Sequence, residues 1–442
     1  MSKKKAVYLI GAGPLALYMF QWARELGLSV VATDRDNNAA GKKFADYFAC
    51  IDASDHSGKH ELFLSELNKK NIEICGVYCG NEMGTITANR LQQFLGLPRN
   101  SIEGMLKSAD KVKMKNTWTN LEIKSPKFHI LNTVQDLSSI FEKKIFKDDF
   151  ILKPSFGSGS RGVQIVSPNT TNSYEEIWRR SMEPVEFQGS LLVEEYKTGR
   201  QLDANGIFIN NNYFRAGTLE RFICSPPDCL PIGGYNPAII SKELSRKIHS
   251  LLESSSRALG LNEGPVKGDF IYTSQKELFI LEVAPRLHGD VTTCNTLPFG
   301  SGCNPIKFLF KAWMTNIVDQ NLLSQRTTKT AAWRVLCIPP GSQFDEATKK
   351  SISKIEKEYQ EVTKIWLNPK YNSQKKSYTS TAEIPGYICV YGEDQEKVEK
   401  ILVDCLSKLN YSHGKFNDWY HKLGEAIRET GFDRRSFGFF KG

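Results

Sequence analysis

Residues 149–166 run Asp149-Phe150-Ile151-Leu152-Lys153-Pro154-Ser155-Phe156-Gly157-Ser158-Gly159-Ser160-Arg161-Gly162-Val163-Gln164-Ile165-Val166. An apolar strand, Asp149–Lys153, ends on a lysine and is followed by a loop with three glycines and three serines. A second apolar run, Val163–Val166, closes it. A glycine-rich loop can lay backbone N–H groups on phosphate oxygens, and a lysine beside it adds a point charge for the same anion. In a Walker loop the lysine follows the glycines and a helix comes next. Here the lysine comes first and a strand follows, the pattern of a β-hairpin lid over a nucleotide, with an ordinary hairpin turn as the plain alternative.

Three further pieces lie downstream. Leu192-Val193-Glu194-Glu195-Tyr196 is an apolar strand ending in two carboxylates and an aromatic ring. Such an end can read an adenine edge and a ribose, or simply be a strand with a polar terminus. Asp269 and Glu282 are acidic residues inside the apolar runs Val266–Ile271 and Phe279–Val283. A hairpin joined at Thr273–Glu277 would set them side by side. Carboxylates in such strands are costly unless paired or metal-bound, and two of them plus phosphate oxygens suit octahedral Mg²⁺. Ion pairing with Lys267 or Arg286 is the competing account. Pro285-Arg286-Leu287-His288-Gly289-Asp290 follows directly. Arg286 can clamp a transferring phosphoryl group with its planar fork, and His288 is a candidate to face a substrate.

Upstream, Ala6–Ile10, Leu28–Thr33, Phe48–Ile51 and Ile74–Tyr78 alternate with helical spacing at Leu15–Ala23, Glu61–Leu67 and Ile86–Phe94. This alternation predicts a parallel sheet with helices on both faces. Gly11-x-Gly13-Pro14, with Asp34 some twenty residues on, is half of a dinucleotide fingerprint, and tight strand-to-helix packing explains it equally. Downstream, a helix is expected over Glu243–Leu259. The Lys-rich last hundred residues form a separate unit with Ala331–Cys337, a helix near Asp345–Glu358, Gly386–Val390 and a helix near Gln395–Leu406.

Composition sets the outer bounds. At 442 residues, 40% hydrophobic and 24% charged, the chain is an ordinary globular one of two to four domains. The net charge of +9 is spread along the sequence, which argues against nucleic acid and needs no more than anionic small molecules. The ten cysteines include no CxxC pair, and no run of 18 apolar residues spans a membrane. Ser2–Lys5 leads straight into the first strand without a secretory signal, so a cytoplasmic location is expected.

Taken in order, these pieces resemble the ATP-grasp superfamily, in the branch with biotin carboxylase, carbamoyl-phosphate synthetase and the L-amino acid ligases. The resemblance implies an α/β fold, α+β in the ATP-grasp part. It divides the chain into an N-terminal Rossmann-like domain (1–108), an ATP-grasp subdomain with the lid (109–196), a Mg/phosphate-binding subdomain (197–325) and a C-terminal domain (326–442). It makes Lys111 the first phosphate-binding lysine, Lys153 the second, and Gly157, Ser158, Gly159, Ser160 and Gly162 the lid loop. It places Glu194, Glu195 and Tyr196 at the adenine hinge and Gln201 and Asp203 near the ribose. Asp269 and Glu282 become the Mg²⁺ (or Mn²⁺) ligands, Arg286 the holder of the acyl phosphate, and Lys153 and His288 its catalytic companions. Many members read Glu-x-Asn-x-Arg where this chain has Glu282-Val283-Ala284-Pro285-Arg286, so one protein contact to metal is missing. Tyr387, in Pro385-Gly386-Tyr387, resembles the C-terminal domain of the L-amino acid ligases.

The implied activity is an ATP-dependent carboxylate–amine ligase working through an acyl phosphate on small-molecule acids and amines, as a homodimer by the habit of the family. Substrate contacts are expected near Gly11–Pro14, Asp34 and Gly80-Asn81-Glu82. Two alternatives stand beside it: a bicarbonate-dependent carboxylase of the same superfamily, and a nicotinamide-dependent oxidoreductase using the N-terminal glycine loop.

Overall fold

The computed structural model describes residues 3–183, 189–223, 229–336, 343–368, 371, 380, 381, 383–411, 414 and 415. The chain begins with β1 (Lys4–Ile10), α1 (Leu17–Glu25), β2 (Ser29–Asp34), β3 (Tyr47–Cys50), α2 (Lys59–Lys69), β4 (Ile72–Cys79) and α3 (Thr85–Phe94). Its four strands lie parallel in the order β3-β2-β1-β4. Ala6–Ile10 is buried throughout, because helices cover both faces of a parallel sheet. Val7 and Leu9 join Phe20 and Ala23 of α1, whereas Tyr8 and Ile10 join Leu64, Leu67 and Leu91 of α2 and α3.

Two short helices follow, α4 (Ile102–Ala109) and α5 (Lys111–Asn120). Asp110 caps α5 by accepting the Val112 N–H at 2.9 Å. Lys111 and Lys115, one turn apart, thereby fall on one face. Next come β5 (Phe128–Leu131), α6 (Val134–Glu142), β6 (Phe150–Pro154), β7 (Gln164–Val166), α7 (Tyr174–Met182) and β8 (Leu191–Glu195). Their strands make an antiparallel sheet of order β5-β8-β6-β7, and β6 and β7 flank the glycine loop as the predicted hairpin.

The remainder is built on one large sheet. Its elements are β9 (Arg200–Ile209), β10 (Asn212–Ile223), β11 (Pro231–Asn236), α8 (Lys242–Leu259), β12 (Gly264–Tyr272), β13 (Leu278–Ala284), a π-helical turn (Val291–Thr296), α9 (Leu297–Ser301), α10 (Pro305–Thr315), β14 (Thr330–Val335), α11 (Glu346–Glu358), β15 (Val362–Leu367), β16 (Gly386–Gly392) and α12 (Gln395–Lys408). The strand order is β13-β12-β9-β10-β11-β14-β16-β15. Helix α8 presents Leu244, Ile248, Leu252 and Leu259 to Leu202, Val266, Phe270 and Ile280 of the sheet.

The described part of the last hundred residues is therefore not set apart as the sequence suggested. β14 pairs antiparallel with β11, from Gly233↔Arg334 to Asn236↔Ala331, and carries β16 and β15 with it. Without β14, β11 would be an open edge of a strongly apolar sheet. Phe222, Ile232 and Tyr235 share one core with Ile388, Val390, Leu402 and Leu406, so packing is continuous across position 326. Cys337, the end of the expected strand Ala331–Cys337, lies outside the described residues. Among the described residues no helix is long and apolar enough to cross a membrane.

Candidate active site

A cavity of about 890 Å³ opens between the lid hairpin, the β8 end and the large sheet. At its floor Asp269 on β12 and Glu282 on β13 stand in one register row, with Asp203 on β9 behind them: Asp203 pairs with Asp269, and Asp269 with Glu282. Directly opposed residues share a face, so three acids on neighbouring strands need cations. Lys267 Nζ donates to both oxygens of Asp269 at 2.8 and 2.9 Å. Arg221 Nη2 lies 3.0 Å from Asp269 Oδ2 and donates to Asp203 Oδ1 at 2.7 Å. Lys111 Nζ stands 3.8 Å from Glu282. Burial alone would raise both Asp269 and Glu282. Arg221 and then Lys267 hold Asp269 well below the usual carboxylate range, and Lys111 lowers Glu282. Both therefore stay ionised at neutral pH.

At the other end, the β8 terminus brings Glu194 into a buried pocket between two lysines. Lys153 Nζ is 2.8 Å from Glu194 Oε1, and Lys115 Nζ is 3.3 Å from Oε2. Burial pulls Lys115 down to about 8, against the field of Glu194. Burial pushes Glu194 the other way, but Lys115 and Lys153 outweigh it and keep the carboxylate charged. The lid loop is tied in place too: Lys111 Nζ donates to Gly157 O at 2.9 Å, and Ser160 Oγ to Cys229 O at 2.8 Å. Gly162 has φ +70°, and a Cβ there would meet Ser181 O at 2.2 Å, so glycine is required at this turn.

Fourteen of the predicted site residues line this one cavity: Lys111, Lys153, Gly157, Ser158, Gly159, Ser160, Glu194, Glu195, Tyr196, Gln201, Asp269, Glu282, Arg286 and His288. Gly162 does not line it. Asp203 is fully buried and does not join the cavity lining. Its carboxylate faces Arg221 and, at 3.2 Å, His288 Nε2, so it organises the floor. His288 is anchored through its backbone N–H to Asn205 Oδ1 at 2.7 Å, and burial lowers its ring's affinity for a proton. Arg286 donates from Nε to Glu82 at 2.7 Å and from Nη1 to Leu287 O at 3.0 Å. This joins the loop after β4 to the loop after β13. Neither Gly11–Pro14 nor Asp34 lines the cavity; Asp34 accepts the N–H groups of Ala12 and Asp36 at 2.8 and 2.9 Å. Sequence reading passed over Lys115 and Arg221. The first was signalled by its place one turn after Lys111, whereas the second carries no local signal.

Asp290 is the anomaly of the site. Its Oδ1 is sealed from solvent and has no hydrogen-bond partner, and a Cβ on Gly80 would sit 2.8 Å from it. Burial, opposed only by Arg286, pushes its carboxyl up to about 6. The folded state thus holds a proton that the unfolded chain has lost above about pH 4. The resulting stabilisation is complete below about pH 4 and is lost as pH rises through 6, on the order of 2–3 kcal/mol. Asp290→Asn should flatten that dependence and gain on the parent by about 1.4 kcal/mol between pH 5 and 7.5. Denaturant midpoints across that range check it, and parallel curves for the two proteins would refute it.

Residues 146–295 match the ATP-grasp domain family, so the chain carries an ATP-grasp domain over this stretch. A formate-dependent phosphoribosylglycinamide formyltransferase of Prochlorococcus marinus (strain MIT 9301) is 25% identical over 307 residues, covering 64% of this chain and 70% of that protein. Among solved structures, the L-amino acid ligase from Bacillus licheniformis superposes with a TM-score of 0.75 at 16% identity, over 93% of this chain and 99% of that one. Biotin carboxylase from Campylobacter jejuni gives 0.67 at 17% identity, over 98% of each chain. By name these similar proteins are enzymes, and at such identities the structural likeness fixes the fold.

Proposed function

We infer that the protein is an ATP-dependent ligase that phosphorylates a carboxylate and passes the acyl group to an amine. The observation that carries this is the convergence of Lys111, Lys153, the Asp269–Glu282 pair and Arg286 on one cavity beneath a glycine lid. Lys111 and Lys153 neutralise the phosphates, and the β8 terminus, with Glu194, Glu195 and Tyr196, takes the adenine and ribose side. Among the described residues no group of three or more His, Cys, Asp or Glu is arranged to hold a metal. Asp269 and Glu282 are instead two hard oxygen donors side by side, which suits a Mg²⁺ that completes its shell with phosphate oxygens and water. Bound there, Mg²⁺ supplies charge neutralisation of the triphosphate.

The acid's carboxylate oxygen attacks the γ-phosphorus, the bond to the β-γ bridging oxygen breaks, and ADP leaves. Arg286, steadied by Glu82, holds the transferred phosphoryl group. The amine then attacks the acyl carbon, the C–N bond forms, and phosphate departs with the electron pair of the C–O bond. The lid hairpin keeps water from the acyl phosphate meanwhile. The test is ADP release from Mg-ATP with pooled carboxylates, amino acids, amines and bicarbonate. Release that requires one acid and one amine supports the reading, and release driven by bicarbonate alone replaces the organic acid.

A further inference from the structure

The lid carries a charge that none of the roles above employs. Arg161 stands inside the glycine-rich stretch, between Ser160 and Gly162, and lines the cavity. The other arginines of the lining are paired: Arg200 lies 2.7 Å from Glu220, Arg221 3.0 Å from Asp269 and Arg286 2.7 Å from Glu82. Lys111, Lys153 and Lys267 likewise meet carboxylates, at 3.8, 2.8 and 2.8 Å. Among the described residues Arg161 meets none, and its only hydrogen bonds run to Ser158 of its own loop. A guanidinium without a counter-charge, on the wall of a cavity whose other arginines are neutralised, is suited to an anion.

Hydrogen bonds fix where this cation stands. Arg161 Nε donates to Ser158 O at 3.1 Å, and Nη2 reaches Ser158 Oγ at 3.5 Å. Nη1 makes no hydrogen bond among the described residues. Gly157, the neighbour of Ser158, gives its carbonyl to Lys111 Nζ at 2.9 Å, and that same Nζ lies 3.8 Å from Glu282. Consecutive Cα atoms are about 3.8 Å apart, so Arg161 and Lys111 are held on adjoining carbonyls of one short stretch. The arginine therefore belongs to the end of the cavity with Lys111 and Glu282. The loop beneath it is pinned as well: Thr381 N–H donates to Gly159 O at 3.1 Å, and Ser160 Oγ to Cys229 O at 2.8 Å. Two cations on neighbouring carbonyls, with Glu282 paired to only one of them, leave positive charge that an anion between them would offset.

We propose that Arg161 binds the γ-phosphate of the nucleotide from the lid side, so that the lid distinguishes ATP from ADP. The proposal rests on the ligase reading and deepens it by giving the lid a side chain that reads the nucleotide. Backbone N–H groups of a glycine loop serve any phosphate, whereas a planar fork placed at one end of the chain of phosphates serves the terminal one. Arg286 acts from the loop after β13 on the group in transfer. Arg161 is engaged earlier, as soon as nucleotide binds. Once the γ-phosphate has left, the lid loses that ion pair, and its hold on ADP is weaker by the same contact.

The test uses the full chain with Mg²⁺ and no acid or amine, and compares a non-hydrolysable ATP analogue with ADP by calorimetry. Arg161→Ala should weaken the analogue by about tenfold or more, the worth of one hydrogen bond to a charged group, and leave ADP within about twofold. Arg161 is half-buried. Should Arg161→Ala fail to fold, Arg161→Gln, which keeps a donor without the charge, is held to the same two criteria. Equal losses for the two nucleotides would make Arg161 a support of the loop and overturn the proposal. Unchanged affinity for both would overturn it too, and would give the arginine to another anion such as the acid. Either result leaves the ligase reading intact. Wild-type protein that binds neither nucleotide overturns the ligase reading and the role of Arg161 with it.

Discussion

Arg286→Ala should lower ATP-dependent turnover by about 100- to 1000-fold, the loss of one preorganised donor at the transferring group. Two of the guanidinium's N–H groups are committed to Glu82 and to the Leu287 carbonyl, and they orient the fork toward the cavity it lines. The side chain is only 13% exposed, so no flexible neighbour replaces it. Lysine would bring the charge without the two-pronged geometry, and Arg286→Lys should recover little. Affinity for Mg-ATP should change far less, because Lys111 and Lys153 are untouched. Steady-state ADP release together with nucleotide titration separates the two effects. A rate within tenfold of the parent would remove Arg286 from the phosphoryl site.

The second large effect is on the fold itself. Glu194 is 2% exposed and sits between Lys115, fully buried, and Lys153. Breaking a buried ion pair by removing one partner leaves an uncompensated charge and costs about 3–5 kcal/mol. Glu194→Ala leaves two cations facing each other, so its cost should fall in that range and appear as a lowered urea midpoint. Glu195, next along the strand, is partly exposed and meets Lys197 at 3.0 Å. Glu195→Ala should cost no more than about 1 kcal/mol. Equal midpoints for the two variants would contradict the buried triad.

What the sequence made legible follows from how each feature is encoded. The N-terminal strands are continuous apolar runs, as burial on both faces demands, and the period alone finds them. The lid was visible because a lysine, three glycines and a strand lie within one short stretch, and Asp269 and Glu282 because acids inside apolar strands stand out. β11 was missed because Pro231-Ile232-Gly233-Gly234 carries turn signals, while its pairing with β14 comes from distant sequence. Asp203 was placed at the ribose. On β9 the face of a residue is set by register with β10 and β12, and a single strand does not show that. Arg221 matters only because it joins carboxylates on two other strands, and that role exists only once the sheet is assembled.

The account stands most directly on one measurement: ADP release from Mg-ATP by the purified protein with paired pools of acids and amines, run beside Glu282→Ala. The expected result is release that needs both an acid and an amine and falls at least 100-fold when the Glu282 carboxylate is gone. Release that proceeds equally well in the Glu282→Ala protein, or no binding of Mg-ATP at all, would contradict the ligase assignment and the role given to the carboxylate row.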